Sequence, residues 1–157
     1  MQRKEITQFL SQCTERKLNP NNDPRIYMAK EITFDYGTEN AVRVDYMKFK
    51  PLNNTVSGIE KGDFYCYEIK SSVEDFHSKH GHNFIGDFNY YVMSREVFDA
   101  VKSEIPFRIG VYIPEGTTLY CIKRAKRTDR TRSVSEMLLM MFRSFARDKR
   151  KEKINNE

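Results

Sequence analysis

Six short runs rich in β-branched and aromatic residues are spread along 157 residues, and helical patterns separate several of them. The runs cover Ile26–Phe34, Ala41–Phe49, Phe64–Lys70, Phe88–Met93, Arg108–Ile113 and Leu119–Arg124. Each has the length of a strand, and turn residues such as Asn19–Pro24, Tyr36-Gly37 and Pro114-Glu115-Gly116 bound them. Lys4–Arg16, Ser71–His80, Ser94–Ser103 and Ser133–Lys149 read as helices. The first repeats Ile6, Phe9, Leu10 and Cys13 at helical spacing, and the last repeats Val134, Leu138, Met141, Phe142 and Phe145. Ser71 or Ser72, and Ser94, are the expected N-caps of the two middle helices. Pro51–Gly62 is expected to be a polar connection. The order predicts an α/β fold with a central mixed β-sheet flanked by helices.

Apolar residues make up 39% of the chain, enough for one core in a domain of ordinary size. The longest purely apolar run, Met137–Phe142, is far short of the roughly 20 residues that span a bilayer. No apolar stretch follows the charged N-terminus, so a soluble, cytoplasmic protein without a membrane segment is expected. Cys13, Cys66 and Cys121 are widely spaced and form no CxxC, which argues against a disulfide scaffold or a cysteine zinc site. Charge is uneven. Cys121–Glu157 holds 12 basic and 5 acidic side chains, while the preceding residues are close to neutral. Lys123, Arg124, Lys126, Arg127, Arg130 and Arg132 are the expected phosphate contacts of a nucleic-acid partner.

The chemistry concentrates in Asp63-Phe-Tyr-Cys-Tyr-Glu-Ile-Lys70. Strand alternation puts Phe64, Cys66, Glu68 and Lys70 on one side, so an apolar face ends in a carboxylate beside an amine. On the preceding strand, Arg43, Asp45, Met47 and Phe49 are expected on one face and Val42, Val44 and Tyr46 on the other. If the two strands pair, Asp45 lies near Glu68. Two close carboxylates repel unless a positive charge stands between them, and a divalent cation with oxygen ligands resolves this.

Asp45 followed by Glu68-x-Lys70 on an apolar strand resembles the PD-(D/E)XK nuclease superfamily, although Val44 stands where the family name implies proline. Tyr67-Glu-Ile-Lys-Ser-Ser-Val-Glu-Asp-Phe76 is similar to a segment of its small stand-alone MmcB-like members. Phe88–Met93 and Ile109–Ile113 are similar to their later strands. The resemblance covers roughly residues 26 to 124 and implies a restriction-endonuclease-like core in residues 1–127. A basic C-terminal helix and tail, 128–157, lies outside it. It further implies Mg²⁺ or Mn²⁺ on Asp45, Glu68 and the carbonyl of Ile69, with Lys70 positioning the attacking water for phosphodiester hydrolysis of DNA. The family often adds an upstream glutamate. Glu31 is the first candidate and Glu5 the second.

Other features complete the expectations. His80 and His82 lack further ligands for zinc and are candidates for a loop that touches DNA. Asp75 is a candidate cap-region acid or a partner that orients Lys70. The apolar stripe of the last helix is a candidate homodimer surface, and a partner protein that delivers substrate fits so small a domain. The alternative function is a non-catalytic DNA- or protein-binding member of the same fold, acting in repair, phage or other mobile-element biology.

Overall fold

Strand alternation and helical spacing become eleven elements in the computed structural model, which describes residues 1–157. In chain order they are α1 (Arg3–Leu18), β1 (Tyr27–Phe34), β2 (Val42–Lys50), α2 (Val56–Glu60), β3 (Asp63–Ile69) and α3 (Val73–His77). Then follow β4 (Phe88–Val92), α4 (Arg95–Val101), β5 (Gly110–Glu115), β6 (Thr118–Lys123) and α5 (Val134–Asn155). Serine caps start α3, α4 and α5: Ser72 accepts from the Asp75 N–H, Ser94 from Val97 and Ser133 from Glu136. α2 lies inside the expected polar connection. Its five residues are too few to show a helical period, and the Thr55 cap is its one local signal. α3 is shorter than its pattern because the Ser78 hydroxyl donates to the Asp75 carbonyl and the chain leaves as a loop.

One six-stranded mixed sheet runs in the order β1-β2-β3-β4-β5-β6. β1, β2 and β3 are antiparallel neighbours; β3, β4 and β5 are parallel, joined by the α3 and α4 crossovers; β6 returns antiparallel at the edge. α1 covers one face through Leu10, Cys13 and Leu18 against Tyr46, Tyr67 and Val92. α3 and α4 cover the other through Phe76, Val97 and Val101 against Tyr91 and Val111. α5 joins them on that face: Met137 and Met141 pack on Met47, Phe49 and Phe64.

The basic C-terminal helix expected over 128–157 packs on the sheet: Met137 is fully buried in the same core as β1–β3. The segment between β6 and α5 is fixed as well. Arg127 forms two bonds to Asp63 (2.7 and 2.9 Å), Arg130 pairs with buried Asp87 at 3.2 Å, and Arg132 bridges Asp35 and Glu136. Each of these guanidiniums also lies over an aromatic ring, of Phe88, Phe64 and Phe34 respectively.

The faces of β1 and β2 also differ from simple alternation. Val44 shares a cluster with Met47 and Phe49, not with Tyr46, which packs under α1. The side-chain alternation therefore slips at Asp45. Across the ladder Lys30 pairs with Tyr46 and Ile32 with Val44, so Glu31 stands opposite Asp45 as an unpaired position with φ of 51°. A positive φ on a non-glycine residue is rare in a strand, and here it turns the pair away from regular pleating. α5 covers the exposed carbonyls at this kink: Arg147 donates to Glu31 O and Lys30 O at 3.0 and 3.2 Å.

Candidate active site

The kink at Asp45 meets the end of β3, where two parallel strands hand over to helices. The β2–β3 register runs through Met47↔Cys66 and Tyr46↔Tyr67, so the next position brings Asp45 opposite Glu68. Asp45 Oδ2 accepts the Ile69 N–H at 2.8 Å, which locks its carboxylate across the strand end. The Glu68 and Lys70 side chains are each only 2% exposed. Such charged groups are rarely buried without partners.

The loop after α3 encloses the pair. Asn83 Nδ2 donates to Glu68 Oε1 at 3.1 Å and to the Arg43 carbonyl at 2.9 Å, tying β3 to β2. Lys70 Nζ donates to the His80 carbonyl at 2.6 Å. His82 is held between the Tyr91 hydroxyl and the Ser78 carbonyl, at 2.6 and 2.9 Å. Gly81 allows this approach. Its φ is +72°, and a Cβ there would stand 2.6 Å from Lys70 Nζ. After these bonds one buried polar side-chain atom has no partner: Glu68 Oε2.

The electrostatics follow from burial. Glu68 is pushed up to about 8, chiefly by loss of water and then by the Asp45 charge, against the pull of Asn83 and Lys70. Burial also raises Asp45, opposed by the Ile69 N–H, Arg43 and Lys70. Lys70 is lowered by burial, while Asp75, Glu68 and Asp45 hold it back. The three groups disfavour being charged without further compensation.

A divalent cation fits this donor set. Asp45 and Glu68 supply carboxylate oxygens, one of them orphaned, and Ile69 supplies a main-chain carbonyl. No group of three or more His, Cys, Asp or Glu side chains gathers around a point in the chain. The set therefore suits an ion such as Mg²⁺ that keeps several waters and takes one or two carboxylates plus substrate oxygens.

The groups open into a cleft of about 940 Å³ between α1, β1–β2 and the loop after α3. Glu31 lines it, with its carboxylate 4.0 Å from Arg147. Glu5 is used elsewhere: its Oε2 accepts the Gln2 N–H at 3.0 Å as part of the α1 capping box. Asp75 accepts from the Ser71 N–H at 2.9 Å and pairs with Arg3 at 3.1 Å. His80 is exposed at the rim, whereas the His82 ring is packed inward.

The basic segment is not gathered here. Asp63, which holds Arg127, begins β3, while Lys70 follows its end, so a strand of roughly 20 Å separates them. Arg127, Arg130 and Arg132 are bound to carboxylates, and Lys123 donates to the Pro106 carbonyl at 2.8 Å. Lys123, Arg124, Lys126, Arg127, Arg130 and Arg132, the expected phosphate contacts, are absent from the cleft lining. The cleft's own cations are Arg3, Lys30, Arg43, Lys79 and Lys70. Apart from Lys70, these cations and Asn83 went unnoticed as site residues because they are scattered over α1, β1, β2 and the loop after α3.

Asn83→Ala removes the donor from a buried carboxylate. We expect a loss of about 1–3 kcal/mol in folding stability at neutral pH, measured by urea unfolding.

No family model and no curated protein matches the chain. Among solved structures, it is similar to the SPO1766 protein of unknown function from Silicibacter pomeroyi, at 21% identity and a TM-score of 0.64. The likeness covers 92% of this chain and 88% of that one, and at this identity it concerns the fold: an α/β domain with a six-stranded mixed sheet flanked by helices.

Proposed function

We propose that the chain is a metal-dependent nuclease with a restriction-endonuclease-like core, hydrolysing phosphodiester bonds in DNA. The observation that carries this reading is the orphaned Oε2 of a buried Glu68, set beside Asp45 and followed two residues later by a buried lysine. A carboxylate kept dry and half unpaired is costly, and ligation of a cation offsets that cost. Asp45, Glu68 and the Ile69 carbonyl would hold Mg²⁺ or Mn²⁺, and Glu31, which lines the same cleft without clustering with them, is the upstream carboxylate we assign to the ion's water shell.

An ion bound there supplies Lewis-acid charge and a lowered water pKa. The remaining work falls to the chain. Lys70 has three donors, of which His80 O takes one, leaving two for a nucleophilic water and a phosphate oxygen. Its charge offsets the negative charge that develops on phosphorus oxygens as the bond to the attacking oxygen forms. Arg3, Lys30, Arg43 and Lys79 line the path of the strand and bind its phosphates without reading bases. His80 at the rim is within the same path. Tyr46, the one Phe, Tyr or Trp in the cleft lining, is buried with its hydroxyl donating to Glu15, so base stacking contributes little to binding.

The test is cleavage of end-labelled single- and double-stranded DNA with Mg²⁺, with Mn²⁺ and with EDTA, for the wild type and Asp45→Ala. We expect cutting that requires metal and is lost in the variant. A second reading, a non-catalytic DNA- or protein-binding member of the same fold, is favoured by the absence of a third clustered ligand side chain. Salt-sensitive DNA binding with no cleavage in either metal would overturn the nuclease and leave that reading.

A further inference from the structure

We propose that the outer face of α5 is a homodimer interface, in which the α5 helices of two copies pack antiparallel across a two-fold axis. The helix has two apolar faces. Met137 and Met141 point into the core, and a second stripe of Leu139, Phe142 and Ala146 follows at the i, i+3, i+7 spacing of a helix–helix seam. Phe142 is 67% exposed and Leu139 53%, which is unusual on a surface otherwise rich in charge. Beside this stripe lies a groove of about 480 Å³ between α5 and the sheet, floored by Met28, Phe49 and Ile59 and walled by Phe145.

The occupant we assign is a second copy, for three reasons. First, the same face carries both a protruding aromatic, Phe142, and an apolar groove next to it. A two-fold contact needs this self-complementarity, because each copy must offer knob and hole together. Second, the area is right. An aromatic side chain buries roughly 150–250 Å². Phe142, Phe145 and Tyr27 are 67%, 50% and 44% exposed, and Leu139, Leu52 and Val56 are 53%, 69% and 76%, so the six side chains together offer at most roughly 700 Å², near the ~800 Å² per partner of a stable interface.

Third, charge selects the antiparallel arrangement. The C-terminal half of α5 carries Arg143, Arg147, Lys149, Arg150, Lys151 and Lys153, against Asp148 and Glu152. A parallel pair would bring the two basic halves together. An antiparallel pair centred on Phe142 separates them, sets Leu139 against Ala146 of the other copy, and brings Arg150 beside Glu136, which lies on the same flank.

Sedimentation of the full chain at concentrations up to about 100 μM tests the proposal. The wild type is expected at twice the 18.6 kDa chain mass. Phe142→Glu and Leu139→Lys are each expected at the single-chain mass, and their thermal unfolding matches that of the wild type once both are diluted to single chains, because both residues are exposed in one copy. An oxidant-treated Lys153→Cys variant is expected to stay uncross-linked, since the two C-terminal ends lie far apart. A monomeric wild type overturns the proposal, and so does a dimer that survives both substitutions. Cross-linking through position 153 overturns the antiparallel arrangement. A monomer that instead sediments with anionic phospholipid vesicles also overturns it and makes the stripe a membrane-surface helix.

Discussion

If the chain is the metal-dependent nuclease we propose, Lys70→Ala is expected to lower kcat for DNA cleavage by about 10²–10⁴-fold while leaving Mn²⁺ binding at least as tight as in the wild type. Asp45→Asn, in contrast, loses both. The split follows from where each group stands. Asp45 is fixed by the Ile69 N–H at the strand end, and its other oxygen would ligate the proposed cation. Lys70 approaches from the next residue but one, held by the His80 carbonyl, and offers only donors. Removing a positive charge beside two carboxylates does not weaken a cation there; removing a carboxylate does. Lys70→Arg is not expected to rescue, because the planar guanidinium is larger than the space between Gly81 and the strand allows. Titration of Mn²⁺ by calorimetry, run beside single-turnover cleavage, separates the two roles. Equal loss of binding in Lys70→Ala and Asp45→Asn would place the lysine in the binding set and remove its catalytic part.

The pairing of Asp45 with Glu68 was legible because a strand pair has a period of two, and both residues stand in runs rich in β-branched and aromatic residues. The element order was legible for the same reason, with serine caps marking three helix starts. What could not be read was anything decided between distant segments. The run from Lys123 to Arg132 looks like a free polycation, yet its arginines meet Asp63, Asp87 and Asp35, residues that lie 43 to 97 positions away. Asn83 carries no motif, and its role depends on a loop folding back over β3 to reach Glu68 and Arg43 O. Alternation itself failed at one place, between Val44 and Met47, where the unpaired Glu31 with positive φ kinks the hairpin. That kink is where Asp45 sits. The local rule broke at the candidate site, and functional or strained positions are where a fold is expected to depart from its own pattern.

Glu68→Gln raises the thermal stability of the metal-free protein at pH 8 by roughly 5–15 °C, and the gain shrinks as the pH falls toward 5. In the folded chain the Glu68 pKa lies near 8, while an unfolded glutamate titrates near 4.5. Between those values the folded state holds a proton that the unfolded state has released. Stability therefore falls as pH rises through this window and the loss is complete above the folded pKa. Asp45, raised by burial as well, adds a contribution of the same sign. Carboxylates lowered by ion pairs, such as Asp35 beside Arg132, act at more acidic pH and are common to both proteins, so the difference between wild type and variant isolates Glu68. Glutamine keeps the shape and has no charge to desolvate. Saturating Mn²⁺ should stabilise the wild type at pH 8 by mass action and leave Glu68→Gln nearly unchanged, since the orphaned oxygen has gone. Calorimetric scans of both proteins from pH 5 to 9, with and without Mn²⁺, give the test. Parallel curves for the two proteins would mean that Glu68 is not buried as a charge, and that its unpaired oxygen has found water instead of waiting for a cation.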